Sequence, residues 1–168
     1  GDDWIGNGQL IPAGPLREKL NSLRKYDAVF LKDFENTNII NILKKNNPEI
    51  KIFNTFYEAR NLEKFHSKYN YLIFSGIGNP GGFKKILLKN NLNIIDEHIY
   101  PDHFNYTNNE IDNIKKYAKK LEAKIITTEK DYVKIPEKER DDINFFEVDL
   151  MVQNEEDLIN FIKSKINE

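Results

Sequence analysis

The sequence predicts an α/β fold, a Rossmann-like three-layer α/β/α arrangement around a mainly parallel sheet of about five to six strands. Short apolar runs alternate almost one for one with amphipathic helical segments along the 168 residues. Such alternation is typical of parallel sheets covered by helices on both faces. One strand candidate, residues 71–75, is mostly apolar, as expected for a strand buried on both faces.

The elements follow from local pattern along the chain. Residues 1–15 are rich in Gly and Pro and predict a loop, and a helix is expected to open at Pro15, because proline suits a first helical turn. Strands are expected at 26–31, 50–56, 71–75, 93–100, 124–127 and 144–149. Further helices are expected at 38–45, 83–89, 107–121 and 128–133, and a closing helix capped by Asn154 should turn Leu158, Ile159, Ile162 and Ile166 inward.

Two regions are expected in this chain. Residues 1–25 form a loop and first helix, an inter-domain or active-site segment, and residues 26–168 form a single α/β domain. In such folds ligands bind at the carboxyl ends of the strands. The loops after Ser75, Tyr100 and Thr127 are therefore where a site is expected.

The composition excludes several classes of protein. Cysteine is absent, which excludes disulfides and cysteine-based metal sites, and the net charge of −2 gives no basic excess for nucleic acid. No apolar run approaches the roughly 20 residues that span a bilayer, and no signal peptide is evident. We expect a soluble chain from the cytoplasm, and the start at Gly1 without Met suggests a fragment.

A first motif runs from Gly6 to Glu18 and contains three Gly and two Pro. It is expected to end on a helix N-terminus, where backbone N–H groups favour an anion. Arg17 could grip a phosphate with two parallel hydrogen bonds, and Glu18 could hold Arg17 or accept from a sugar hydroxyl. The alternative is a structural connector with a solvated Arg and Glu.

A second motif, residues 76–81, matches the dinucleotide fingerprint G-x-G-x-x-G, with Asp96 about 20 residues further on. Two features count against a dinucleotide site. The fingerprint usually follows the first strand of its unit, whereas this one follows about the third, and Pro80 removes one N–H from the cradle. The alternative is a tight loop in which Ser75, Gly76 and Gly78 line a cleft.

A third motif places His103 between a predicted strand and a helix that opens with a capping box at Thr107. A histidine there can move protons near neutral pH. Asp102 is not its obvious partner, because neighbours on an extended chain point to opposite faces, so a carboxylate from elsewhere would be needed. Alternatively, His103 only hydrogen-bonds its loop. No ligand spacing predicts a metal site.

The fourth motif, residues 127–134, joins a strand end to a helix start and carries two Thr and two Lys. With Thr128 and Lys130 facing the cleft it would suit an anion. It would serve equally well as a helix cap.

Together the four motifs resemble tetraacyldisaccharide 4′-kinase, the lipid A 4′-kinase, in order and spacing over nearly the whole chain. They are G-N-G-x-L-x-P-A-G-P-L-R-E at 6–18, F-S-G-I-G-x-P at 74–80, D-H-x-x-Y-T at 102–107 and T-T-E-K-D-x-x-K at 127–134. The similarity is to the C-terminal half. The family's P-loop, its D-D-G-F-Q segment and its membrane-docking helix have no match, and Asp2 and Asp3 are not assigned as metal ligands.

The resemblance implies an enzyme of lipid A, and hence lipopolysaccharide, biosynthesis that moves the γ-phosphate of ATP to the 4′-hydroxyl of a tetraacyldisaccharide 1-phosphate. ATP and Mg²⁺ would be bound mainly by the missing half, at the cytoplasmic face of the inner membrane. The catalytic histidine carries over to His103, working with an aspartate of that half. Arg17, Glu18 and Asn7 carry over as substrate-binding residues. The chain alone is then expected to be inactive.

Two alternatives remain open at the level of the sequence. One is a stand-alone nucleotide- or sugar-binding module that uses the loop from Gly76 to Gly81. The other is a structural half that stabilises a partner.

Overall fold

The structure is a computed structural model that describes residues 5–32 and 37–166, so Asp2 and Asp3 lie outside the described residues. Contacts divide the chain into two compact units: residues 1–56 together with 150–168, and residues 57–149. These units differ from the expected regions 1–25 and 26–168, and the domain organisation itself stays a prediction.

The first unit is built around a three-stranded sheet in which β2 lies between β1 and β7, with β1 and β2 parallel. Its buried apolar residues include Leu31, Ile50 and Phe53. Its elements are a 3₁₀ helix (Leu20–Lys25), β1 (Ala28–Lys32), α1 (Thr37–Asn46), most of β2 (Lys51–Ala59) and β7 (Val148–Val152), and α5 (Glu155–Ile166).

The helix expected to open at Pro15 is not there, and the first helical residues are the 3₁₀ turn from Leu20. The loop before it is closed by its own backbone. The N–H of Leu16 donates to the carbonyl of Gln9 (3.1 Å), and the N–H of Ile11 donates to the carbonyl of Leu16 (2.9 Å). Both polar groups of Leu16 are thus used in a bridge, which a helical start would have broken.

The inward face expected for α5 is wrong for three of its four residues. Leu158 is half-buried, and Phe161 packs its ring 5.5 Å from that of Phe53. The packed stripe therefore runs through Leu158 and Phe161, three residues apart on one helix face. The exposed residues are Ile159, Ile162 and Ile166.

The second unit contains a four-stranded, all-parallel sheet in the order β4-β3-β5-β6. The α/β class with a parallel sheet is confirmed, although the strands divide between two sheets instead of forming one. The elements are β3 (Asn70–Ser75), α2 (Pro80–Lys89), β4 (Asn93–Ile99), α3 (Asn108–Lys120), β5 (Ala123–Thr128), α4 (Glu129–Tyr132) and β6 (Ile143–Phe146), with 3₁₀ turns at Leu62–Lys64 and Glu137–Glu139.

The strand expected at 144–149 is two strands, β6 and β7, interrupted at Glu147. The side chain of Asn61 accounts for the break. Its amide nitrogen donates to the carbonyl of Phe145 (2.9 Å), and its oxygen accepts from the N–H of Glu147 (3.1 Å). Backbone groups that would continue a ladder are thereby satisfied by a side chain.

Apolar layers cover the two faces of β3. Leu72 and Phe74 face α3, which contributes Ile111, Ile114 and Ala118. The alternate residues Tyr71 and Ile73 pack with Phe83 and Leu87 of α2. Each fully buried side chain of this size contributes about 1.5–3 kcal/mol, so the carboxyl end of β3 stands on a firmly packed base.

The capping box expected at the start of α3 is confirmed. The hydroxyl of Thr107 accepts from the N–H of Glu110 (3.4 Å), and the Glu110 carboxylate accepts from the N–H of Thr107 (2.7 Å). The backbone hydrogen bond and then the hydroxyl of Thr107 lower the pKa of Glu110. Among the described residues, no helix is long and apolar enough to cross a bilayer.

Candidate functional site

The loops singled out by the sequence meet at the carboxyl edge of the four-stranded sheet. β3 lies between β4 and β5, so the loops that follow Ser75 and Ile99 and the start of α4 after Thr128 leave the sheet side by side. Ser75 is itself buried, and its carbonyl accepts from the N–H of Tyr100 (2.9 Å). The predicted convergence of these three segments is therefore what the topology produces.

Gly76 is the point where these loops touch. Its N–H donates to the Asp131 carboxylate (3.0 Å), and its carbonyl accepts from the N–H of His103 (3.1 Å). A Cβ on Gly76 would stand 3.0 Å from both the Pro101 carbonyl and the Phe104 Cβ. Such distances are tighter than ordinary packing allows, so the loop needs glycine for close approach. Gly78, by contrast, is exposed.

Asp131 is the residue that the sequence reasoning missed. It lies on α4 and is fully buried. Besides the Gly76 N–H, its carboxylate accepts from the hydroxyl of Thr128 (2.7 Å) and pairs with the ammonium of Lys134 (3.1 Å). A signal was available, because Thr128 and Asp131 have the three-residue spacing of a capping box, and the Thr128 hydroxyl accepts from the Asp131 N–H (3.1 Å).

His103 sits at the tip of the β4–α3 loop with its backbone in the left-handed region, φ 62°. Such a conformation is uncommon for a residue with a side chain and costs roughly 1–2 kcal/mol. Its N–H is shared between the Gly76 carbonyl and the Asp102 carboxylate (2.9 Å). The backbone is pinned while the imidazole stays 73% exposed, which leaves the ring free to meet a ligand.

The argument that separated Asp102 from His103 fails because the chain is not extended at this point. With His103 at positive φ, one carboxylate oxygen of Asp102 lies 3.8 Å from its Nε2. The other lies 3.8 Å from the ammonium of Lys130. Both separations exceed hydrogen-bond length. Asp102 therefore contributes charge beside the imidazole, between it and a lysine.

A cluster of aromatic rings packs between the end of β3 and the β4–α3 loop that carries His103. Phe74, Tyr100 and Phe104 all lie within 5.3 Å, centroid to centroid, of the Tyr106 ring. The Tyr106 hydroxyl is buried, and no described residue completes a hydrogen bond to it. Burial first, and then the negative charge of Asp131, raise the pKa of Tyr106, so the phenol stays protonated.

The remaining predicted site residues lie in the first unit. Asn7 is used inside its own loop, where its amide donates to the carbonyl of Ala13 (2.7 Å) and its oxygen accepts from the N–H of Gln9 (3.1 Å). The Glu18 carboxylate accepts from the hydroxyl of Tyr26 (3.2 Å), which raises the pKa of that phenol. Arg17 is exposed. The 3₁₀ turn that follows begins at Leu20 and is too short to act as an anion site.

The described residues offer no fit to Mg²⁺ or to the phosphates of ATP. Within residues 5–32 and 37–166 no three acidic, His or Cys side chains gather as a metal site would require. The 168 residues contain no G-x-x-x-x-G-K-[ST] segment to cradle phosphates. Two backbone donors of this region are used internally: the Gly76 N–H donates to Asp131 (3.0 Å), and the Gly82 N–H, in the first turn of α2, donates to Asn79 (2.8 Å). The described residues therefore lack the phosphate loop and the ligand cluster with which P-loop kinases hold Mg²⁺ and ATP.

The sequence matches the family model of LpxK, tetraacyldisaccharide-1-P 4′-kinase, over residues 1–167. The chain belongs to this family. Among curated LpxK proteins it is 40% identical over 168 residues to the tetraacyldisaccharide 4′-kinase of Pelagibacter ubique, covering 99% of the chain and 53% of that protein. It is 38% identical over 157 residues to the Rickettsia akari kinase, covering 93% of the chain and 46% of that protein. The chain thus spans about half the length of these relatives.

An LpxK crystal structure has the same fold. The structure from Aquifex aeolicus, determined in complex with ATP, superposes with a TM-score of 0.59 at 22% identity. The match covers 94% of this chain and 48% of the crystallised one. The likeness shows the fold alone, and the ATP belongs to the Aquifex protein.

Proposed function

We propose that this chain is the C-terminal part of a tetraacyldisaccharide 4′-kinase and supplies the catalytic histidine, His103, and part of the cleft for the disaccharide. The observation that carries the proposal is that the backbone of His103 is held by hydrogen bonds while its side chain is exposed. The two acceptors lie at the carboxyl edge of a parallel sheet. A rigid backbone with a free ring is the arrangement that a proton-transfer group needs.

Proton removal is the chemistry that this residue offers. A sugar hydroxyl is a weak nucleophile, and a base that takes its proton as it attacks phosphorus lowers the barrier. The imidazole of His103 would accept the proton of the 4′-hydroxyl, and the Asp102 carboxylate lies 3.8 Å from its Nε2. In this proposal a further aspartate from the rest of the enzyme completes the pair.

The division of labour follows from what the described residues lack. Phosphoryl transfer needs Mg²⁺ and cationic groups on the nucleotide, and this chain has neither a P-loop nor a cluster of metal ligands among its described residues. ATP and Mg²⁺ would be held by the remaining half of the protein, which would also contact the membrane at its cytoplasmic face. Lys130 and Arg17 are exposed cations that would meet phosphate groups of the substrates.

A chimaeric kinase tests the proposal. This chain would replace the matching segment of the Pelagibacter ubique kinase, with which 99% of this chain aligns. We expect transfer of labelled γ-phosphate from ATP to a tetraacyldisaccharide 1-phosphate, and none with the 168-residue chain alone. His103→Ala in the chimaera should lower kcat by about two to four orders of magnitude. A folded chimaera without transfer, or a His103→Ala variant with the parent's rate, would contradict the assignment.

The nucleotide-binding module has less support. The N–H groups of Gly76 and Gly82 already donate to acceptors within the chain, Asp131 and Asn79. Asp96, which would have to bind a ribose, accepts instead from the hydroxyl of Tyr117 (2.7 Å). Calorimetric titration of the chain with NAD should therefore show no binding.

A further inference from the structure

Asp131 forms a cluster with Gly76, Thr128 and Lys134, called the Asp131 cluster below. Its carboxylate is the most deeply buried charged group among the described residues. A carboxylate without exposure is costly to bury unless its oxygens are hydrogen-bonded and its charge is paired. Here the costs are met by three donors: one backbone N–H, one hydroxyl and one ammonium. Both carboxylate oxygens of Asp131 therefore already accept hydrogen bonds from residues of the cluster.

The cost of burying this charge is informative about its role. An apolar side chain of similar volume would often stabilise such a place as well or better. An apolar residue, however, could not accept a hydrogen bond from the backbone N–H of Gly76 in the neighbouring loop and so could not fix its direction. The bond from Gly76 crosses from the β3–α2 loop to α4 and is charge-assisted, about twice as strong as a neutral one.

Gly76 links Asp131 to His103 through its two backbone hydrogen bonds. Its N–H is held by Asp131 and its carbonyl holds the His103 N–H, so both of its polar groups are fixed. On the side where a Cβ would stand, Pro101 and Phe104 leave no room for a larger residue in place of Gly76. A shift of Gly76 therefore moves the acceptor on which the left-handed backbone of His103 depends.

We propose that Asp131 is the positioning residue for His103, acting through Gly76 to hold the imidazole where the acceptor hydroxyl is to be deprotonated. The inference rests on the proposed function for its catalytic consequence. Its physical part, the coupling from Asp131 to the His103 backbone, does not depend on any activity.

Amide hydrogen exchange in the 168-residue chain tests the coupling. Asp131→Asn keeps the shape and makes the acceptor neutral, and the double variant Asp131→Asn/Lys134→Met also removes the ammonium that would otherwise lose its partner. We expect the Gly76 and His103 amides to exchange about tenfold faster than in the parent, beyond the change at core amides such as Leu72. Glu129→Gln, on the exposed side of α4, is the matched control and should leave both amides unchanged.

A residue that only stabilises the fold would give a different pattern. Gly76, His103 and Leu72 would then accelerate by one common factor set by global opening. Uniform acceleration, or unchanged exchange at Gly76 and His103 in both variants, would overturn the proposal. Thr128→Ser, which keeps the hydroxyl donor to Asp131, should preserve the parent's exchange, whereas Thr128→Val should accelerate exchange at Gly76.

The chimaeric kinase supplies the catalytic readout. For Asp131→Asn/Lys134→Met we expect kcat per folded molecule to fall about 100-fold, as for a catalytic group displaced by about 1 Å, with the KM for the disaccharide changed less than twofold. An unchanged kcat in a folded variant overturns the positioning role. If the unsubstituted chimaera transfers no phosphate, the proposed function fails, and the exchange pattern alone still decides whether Asp131 holds His103.

Discussion

Replacing His103 with Gly should leave the protein more stable than replacing it with Ala. The left-handed backbone at φ 62° costs a residue with a Cβ roughly 1–2 kcal/mol, and Gly escapes that cost. Gly loses about 0.5–1 kcal/mol more backbone entropy than Ala on folding, which offsets part of the gain. The difference between the two ranges favours Gly by about 0–1.5 kcal/mol, which is about 0.75 kcal/mol at their midpoints. The imidazole is 73% exposed, so both variants lose little packing.

The assay is urea unfolding of the 168-residue chain followed by far-ultraviolet circular dichroism, with the free energy of unfolding compared between paired Gly and Ala variants. Asn91 calibrates the comparison, because it is exposed, has φ 59° and lies outside the site, so Gly should again be the more stable choice. Asn105 is exposed in the same loop as His103 without a positive φ, and there Ala should be more stable by about 0.4–1 kcal/mol.

The reasoning is refuted if Ala equals or exceeds Gly at position 103 while the Asn91 and Asn105 pairs behave as expected. In the chimaeric kinase both His103 variants should lose activity alike, since both lack the imidazole. The choice between Gly and Ala at position 103 would then change the free energy of unfolding without changing the activity.

Three further outcomes follow from the same contacts. Gly76→Ala should lower the free energy of unfolding by about 1–3 kcal/mol through overpacking, whereas Gly78→Ala, where a Cβ would meet its nearest atom at 3.4 Å, should change it little in the same urea titration. Because the folded pKa of Glu110 is depressed, its carboxylate stabilises the fold above its ordinary pKa of 4.5, so the advantage of the parent over Glu110→Gln should shrink as pH falls below that value. Arg17→Ala should reduce the chimaera's activity with little change in its melting temperature, since Arg17 is exposed, and a large fall in melting temperature would indicate a structural role instead.

Local signals in the sequence were sufficient for the elements that depend on local physics. Thr107 and Glu110 predicted the start of α3 because a capping box needs only four adjacent residues. The apolar run of β3 predicted a strand buried on both faces, because its composition alone carries that signal.

Features that depend on distant partners could not be predicted in this way. The side chain of Asn61 interrupts the last strand from more than 80 residues away. The role of Asp131 requires β3 to lie beside β5, with Gly76 brought to α4 from 55 positions earlier in the chain. The left-handed turn at His103 reversed the expected separation from Asp102, because alternation of side chains holds only for extended backbone.

The continuity of the second unit has a consequence for how such a protein can be built and altered. Residues 57–149 leave from β2 and return through β7, which are neighbouring strands of one sheet. A segment whose two ends are hydrogen-bonded neighbours can be exchanged for a homologous one with two joints and little loop-closure entropy. Exchange at these two positions would transfer His103, Asp131 and their supporting loops together in one segment.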